Sequence, residues 1–299
     1  MTIIDSHVHL FRREHWDETS ARTWLSPFGL DPDIMDVDTD ELMEGMANAG
    51  VDQVVFLAFN AARFLKIHTP NEYVASECAR FSGRAIGYAS VDPIENNAVA
   101  ELIDAIDNMG LRGLKLAPTY QDFHPQDPRA YRVYAACEER GVPILFHQGW
   151  TPNPLARADV QAIEQLDEIC KVFPDLRIIV AHIGIPRTTE TLQMMFSYPN
   201  LYADISGRDF PQFGGGPRTV LEDISDAMAF GIQHKIFWGT DAPWGDPASG
   251  IKSVHGLLDM VGNLEASRPK PTIDEIEGLL GKNFQKFAAD LGWDEVRQQ

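Results

Sequence analysis

His7 and His9 lie two residues apart in Ile3-Ile4-Asp5-Ser6-His7-Val8-His9-Leu10, a run that reads as a short buried strand. Side chains two apart on a strand share a face, so both imidazoles project together, with Asp5 one step deeper on that face. Two adjacent imidazoles at a strand end are a ready pair of metal ligands. Three more polar residues close apolar runs downstream: His147 after Pro143-Ile144-Leu145-Phe146, His182 after 176–181, and Asp241 after 235–240. Imidazoles and a carboxylate form a nitrogen–oxygen donor set that suits Zn2+, with Mn2+ or Fe2+ as alternatives. Each residue also has an ordinary explanation. A histidine at a strand end is commonly a hydrogen-bonded core or surface residue, and Asp241 before Ala242-Pro243 could cap a helix. The weight comes from all five falling at ends that one fold would gather.

The elements that would gather them alternate strand and helix. Strands are expected at 2–9, 51–58, 85–89, 111–116, 143–147, 176–182, 201–205 and 235–241. Helices are expected from a cap at Asp38 or Thr39 to Gly50, then at 71–81, 98–108, 129–140, 159–172, 187–196, 219–230 and 251–261. Most of the strands are continuous apolar runs, which suits a parallel sheet covered on both faces. Eight such units predict a (β/α)8 TIM barrel in a single domain over 1–299, whose active site lies at the carboxyl ends of the strands. A doubly wound open sheet is the runner-up and gives no reason for polar residues at so many strand ends. Residues 11–38 form a long connection, either a plug over the barrel end or a lid and pocket wall. Residues 272–299 are a helical C-terminal extension that opens on a capping box, Thr272 to Glu275.

Composition narrows the partners. The chain has 299 residues, 44% hydrophobic, with 25 Lys+Arg against 44 Asp+Glu and a formal charge of −19. That balance argues against nucleic acid and anionic membranes as partners and leaves a small-molecule substrate. Cys78, Cys137 and Cys170 show no CxxC spacing and suggest no disulfide framework. With no signal-peptide pattern after Met1 and no long apolar run, a cytoplasmic location is expected.

The motifs carry a resemblance. Ile4-Asp5-Ser6-His7-Val8-His9, Gly113-Leu114-Lys115-Leu116, the run ending at His147, Ile179-Val180-Ala181-His182-Ile183-Gly184 and Phe237 through Trp244 resemble the amidohydrolase superfamily, in its amidohydrolase-2 branch of metal-dependent hydrolases and decarboxylases. The segment 276–284 is also similar. The resemblance implies His7, His9 and His147 as metal ligands, Asp241 as ligand or general base, His182 beside the substrate, and a homodimer. Ala117 departs from relatives that carry a histidine there. Asp5 departs from several decarboxylases and favours hydrolysis. Lys115 matches a position where some superfamily members carry a carbamylated lysine between two metals; the alternatives are an ammonium contacting an anionic substrate, the reading preferred here, or a core lysine paired with a buried acid.

The expected activity is therefore metal-dependent hydrolysis of an amide, ester or lactone bond in a small cyclic or aromatic carboxylic-acid-type substrate. Asp241 would take a proton from water and return it to the leaving group, and His182 would stabilise the oxyanion. The alternative is a metal-dependent non-oxidative decarboxylase of an aromatic or unsaturated acid, with Asp241 protonating the carbon. A ligand-binding barrel without catalysis and a site without tightly bound metal are the remaining readings. Specificity is assigned to Arg63, Trp150, Arg208 and Trp244 around the mouth, with His68 a further loop candidate and 210–217 a candidate flap.

Overall fold

The apolar runs become strands, and their alternation sorts side chains between two cores. The computed structural model describes residues 1–151, 153–211 and 214–293. Its strands are β1 (Ile4–His9), β2 (Gln53–Leu57), β3 (Phe59–Ala61), β4 (Ile67–Thr69), β5 (Ala85–Ala89), β6 (Gly113–Leu116), β7 (Ile144–Phe146), β8 (Ile178–Val180), β9 (Leu201–Asp204) and β10 (Ile236–Phe237). Eight of them form one sheet in the order β1-β2-β5-β6-β7-β8-β9-β10, every pair parallel. β10 then returns to β1. Ser6 N donates to Trp238 O at 3.0 Å, Asp241 N to His7 O at 3.0 Å, and His9 N to Ala242 O at 2.8 Å. The eight strands and the helices between them are the predicted (β/α)8 barrel.

Along each strand, alternate residues face the helices or the barrel axis. Val54, Phe56, Leu114, Ile144 and Phe146 join the large cluster against the helices. Val55, Leu57, Tyr88, Leu145, Ile179 and Phe237 form a second cluster, which the C-terminal helix Asn283–Asp290 closes with Phe284 and Phe287. Lys115 and Asp204 share this inward parity with Leu145 but lie among the polar residues of the site, so the strands carry apolar packing along one part of the axis and chemistry along another.

The first and last barrel strands are held together by a buried acid. Asp5 Oδ1 accepts from Thr240 N at 2.9 Å and from His7 N at 3.1 Å, and Oδ2 accepts from Thr240 Oγ at 2.6 Å. Gly239 allows the approach: a Cβ there would lie 2.9 Å from His7 Cβ.

Several expectations need correction. The helix expected at 159–172 is a 3-10 turn at Ile163–Leu166 followed by α-helix over Asp167–Val172. The reason is a tertiary contact: Gln148 Nε2 donates to the carbonyls of Val160 and Ala162, which holds that stretch outside any helix. The last strand is short because Trp238 N turns to Leu279 O. A hairpin, β3–β4, follows the second barrel strand and was not predicted. Residues 11–38 contain the helix Glu18–Leu25, capped by Asp17, and Val37 N donates to Phe11 O across the base of the excursion. Asp38 is the cap of the next helix, Thr39–Asn48. The C-terminal extension keeps its Thr272 capping box, but the helix is interrupted by a π turn at Gly278–Lys282. Its last residues, 294–299, lie outside the described residues. Among the described residues no helix is long and apolar enough to cross a membrane.

Candidate active site

Four strands bring the five predicted polar residues to one place. His7 and His9 end β1, His147 follows β7, His182 follows β8, and Asp241 lies four residues beyond β10. His182, Ile183 and Asp241 have left-handed backbone, with φ of 58°, 47° and 58°. Non-glycine residues adopt it at about 1–2 kcal/mol each, a local expense at the turns that carry His182 and Asp241.

The distances are short. Asp241 Oδ1 lies 3.4 Å from His7 Nε2 and 3.6 Å from His9 Nε2. His182 Nε2 lies 3.1 Å from His147 Nδ1. His7, His182 and Asp241 each offer one donor atom, all within 4.8 Å of one another. His182, expected beside the substrate, thus belongs to the tightest donor group. Lys115 is 1% exposed, and its Nζ lies 3.2 Å from His7 Nε2. It is placed among the donors and is absent from the cavity lining, so the expected contact of Lys115 with substrate is not what the structure displays.

Burial dominates the electrostatics. It pushes His7 down to about 3, a shift that the Lys115 ammonium reinforces, and it also depresses His9, His147 and His182. These imidazoles are neutral at pH 7, the form that ligates metal. Burial also raises the Asp241 carboxyl well above its usual range, against the pull of Lys115, and lowers Lys115 to about 8. Burial alone would raise Asp204, but His7, His182 and Ser206 hold it below the ordinary carboxylate range.

The donor set fits a divalent cation on this structure's own terms. His9 Nδ1 and His147 Nε2 are buried nitrogens without a hydrogen-bond partner. Neutral imidazoles crowd an acid whose ionisation burial disfavours. A divalent ion would accept such lone pairs and supply the missing counter-charge.

Asp241, His147 and His182 also line an open cleft of about 620 Å³, a volume that includes solvent space at its mouth. Its other walls include Trp24, Phe28, Tyr120, Trp150, Phe210 and Trp244. Residues 11–38 therefore supply a pocket wall: Trp24 packs against Phe59, Tyr120 and Trp244 at centroid distances of 5.1–6.0 Å. Trp150 and Trp244 stand where expected.

The two arginines do not reach the cleft. Arg63 Nε is 2.6 Å from Asp92 Oδ2, and its guanidinium also donates to the carbonyls of Gln121 and Asp122. Arg208 Nε is 2.5 Å from Asp223 Oδ2. Neither is on the cavity wall, and no described lining residue is Arg or Lys. His68 lies in the β3–β4 hairpin, opposite Asn60. The candidate flap 210–217 falls partly outside the described residues.

Asp204 and Ser206 were missed by the sequence reading. Asp204 Oδ2 is 2.9 Å from His7 Nδ1, and the Ser206 carbonyl is 2.8 Å from His182 Nδ1. The signal was available, because Asp204 is a polar residue near the end of an apolar run, as the other site residues are.

The family model described as Amidohydrolase matches residues 4–287. The chain belongs to the amidohydrolase family. Members of its amidohydrolase-2 branch are enzymes, both hydrolases and decarboxylases. This amidohydrolase is similar in fold to an uncharacterized TIM-barrel protein from Bordetella bronchiseptica, with 21% identity, 98% and 100% of the two chains covered and a TM-score of 0.75. It is similar to 5-carboxyvanillate decarboxylase from Novosphingobium aromaticivorans, solved with bound manganese, at 13% identity, 96% coverage of each chain and a TM-score of 0.68. It is also similar to a probable 2-pyrone-4,6-dicarboxylic acid hydrolase from Acinetobacter baumannii, solved with citric acid bound, at 16% identity, 96% and 98% coverage and a TM-score of 0.65. The comparison with curated proteins finds no match.

Proposed function

We propose that this amidohydrolase is a metal-dependent hydrolase of a small cyclic or aromatic carboxylic-acid-type substrate, cleaving an amide, ester or lactone bond. One observation carries the reading: Asp241 belongs to the donor group and to the cavity wall at once. A carboxylate so placed can exchange protons with a water and with a substrate held in the cleft. His7, His9, His147, His182 and Asp241 are the residues that would hold the ion, Zn2+ or Mn2+. A divalent ion there supplies Lewis acidity, which polarises a carbonyl and makes water more acidic.

The remaining chemistry belongs to the chain. Water adds to the substrate carbonyl carbon and gives a proton to Asp241. The bond from that carbon to oxygen or nitrogen breaks, and Asp241 returns the proton to the departing atom. Trp24, Tyr120, Trp150 and Trp244 hold a flat apolar body and exclude water from it. With no described guanidinium or ammonium on the wall, the part of the substrate away from the donors is uncharged.

A second reading is a non-oxidative decarboxylase of an aromatic acid. The aromatic walls favour it, and Asp241, on the wall and among the donors at once, could deliver a proton to a ring carbon. The two part cleanly in an assay: hydrolysis releases titratable acid, whereas decarboxylation releases carbon dioxide. In either case Asp241→Asn should lower kcat by about 10²- to 10⁴-fold while metal analysis still finds bound ion. Near-normal turnover in that variant removes Asp241 as the proton carrier.

A further inference from the structure

We infer that Asp204 and Ser206, at the end of β9, set the ring tautomers of His7 and His182 together, so that both present Nε2 as a lone pair to the donor site. The inference concerns positioning, and only its consequence for metal uptake rests on the metal-dependent reading above.

The argument follows hydrogens. Asp204 is fully buried, and its Oδ1 faces three donors: His182 N at 3.0 Å, Ser206 N at 3.0 Å and Ser206 Oγ at 2.5 Å. Its Oδ2 faces His7 Nδ1 at 2.9 Å. The three donors on Oδ1 hold the group ionised, and a carboxylate has no hydrogen to give, so His7 carries its hydrogen on Nδ1. His182 Nδ1 lies 2.8 Å from the Ser206 carbonyl, which only accepts, so His182 also carries its hydrogen on Nδ1. Ser206 Oγ stands between the rings, 3.1 Å from His7 Nδ1 and 3.0 Å from His182 Nδ1. Its own hydrogen points to Asp204, so toward both rings it is an acceptor.

The far side of each ring agrees. His7 Nε2 lies 3.2 Å from the Lys115 amine, a donor that is nearer than Asp241 Oδ1 at 3.4 Å. His182 Nε2 lies 3.1 Å from His147 Nδ1, which donates to it and leaves His147 Nε2 as the partnerless atom. One short stretch of β9 thus prepares two ligand nitrogens from opposite sides of the site. The same assignment removes neutral His182 as an oxyanion donor, the role expected from sequence, because its Nε2 has no hydrogen to give.

Asp204→Asn tests this with little change of shape. The amide oxygen can keep the three donors of Oδ1, while the amide NH2 takes the place of Oδ2 and donates to His7 Nδ1. That moves the His7 hydrogen to Nε2, into the donor site. In chelator-treated protein with 15N-labelled histidine, long-range proton–nitrogen spectra should show Nδ1–H for His7 and His182, assigned by His7→Gln and His182→Gln. In Asp204→Asn, His7 alone should switch to Nε2–H, and affinity for Zn2+ or Mn2+ measured by calorimetry should fall by about 10- to 100-fold. A merely structural Asp204 would lower Tm without switching the tautomer. Nε2–H on His7 in the unsubstituted protein overturns the inference, even if Asp204→Asn fails to fold. An unchanged His7 tautomer in folded Asp204→Asn also overturns it. A protein that takes up neither metal yet shows both Nδ1–H tautomers supports the inference and removes the metal-dependent reading instead.

Discussion

The residues that decide chemistry here are distinguished by their neighbours more than by their type. Arg63 and Arg208 look like substrate clamps in a sequence, yet each is spent on a local acid, Asp92 or Asp223. A chain with 44 acidic and 25 basic residues leaves few guanidinium groups unpaired, and no sequence spacing reveals which acid a loop arginine meets. Arg63→Gln should therefore leave KM unchanged and lower stability by about 1–3 kcal/mol, since Asp92 loses its charged partner in a largely buried position. Trp244→Ala should do the reverse, leaving Tm nearly unchanged and lowering kcat/KM by roughly ten- to hundredfold through about 1.5–3 kcal/mol of lost apolar contact. Thermal melts and steady-state kinetics on the two variants check both; an elevated KM in Arg63→Gln would return that arginine to the substrate. The donors His7, His9, His147, His182 and Asp241 were legible because they close apolar runs, His7 and His9 sharing the first. Asp204 ended one as well and was read only as part of a strand.

Elements were legible where one periodicity controlled them and obscure where a tertiary contact did. The barrel strands follow from their apolar runs. The absent helix at 159–162 follows from Gln148, whose amide holds that backbone from a distance no local pattern encodes. The connection 11–38 was ambiguous for a related reason: Trp24, Leu25 and Phe28 face a cleft, and an apolar residue facing a cleft reads the same as one facing a core. Helix ends carry their own electrostatics. Lys235 Nζ donates to the carbonyls of Met195 and Tyr198, at and just past the end of helix Thr188–Ser197, at 2.8 Å each. Burial lowers its ammonium to about 8, whereas an unfolded lysine titrates near 10.4. Between those values the unfolded chain holds a proton that the native one has released, so stability from this group rises with pH across that window and is lost as pH falls through about 8. The Tm difference between the protein and Lys235→Met should accordingly shift in favour of lysine as pH goes from about 8 to about 10.5; a pH-independent difference refutes the lowered value.

At the scale of the molecule, the barrel is filled along its axis by aromatic packing supplied from the C-terminal end. Phe284 and Phe287 meet Phe237, Tyr202 and Trp293 with ring centroids 4.9–6.3 Å apart. Gly281 lets the preceding π turn approach β1, since a Cβ there would lie 2.0 Å from Thr2 O. The capping box announced this extension, but nothing in the sequence says that it plugs the barrel. Phe287→Ala should lower stability by about 3–5 kcal/mol with kcat of the folded fraction preserved, as read by denaturant titration beside active-site-normalised turnover. A loss of kcat without a loss of stability would place that helix in the chemistry.

The seam between β10 and β1 has a consequence for biosynthesis. His7 emerges from a ribosome more than two hundred residues ahead of Asp241 and of the clamp from Asp5 to Thr240. A nascent chain therefore carries imidazoles long before it carries the acid that completes their cluster. The cluster is completed in one late event, when the segment after β10 meets β1, and a product terminated before that segment lacks Asp241.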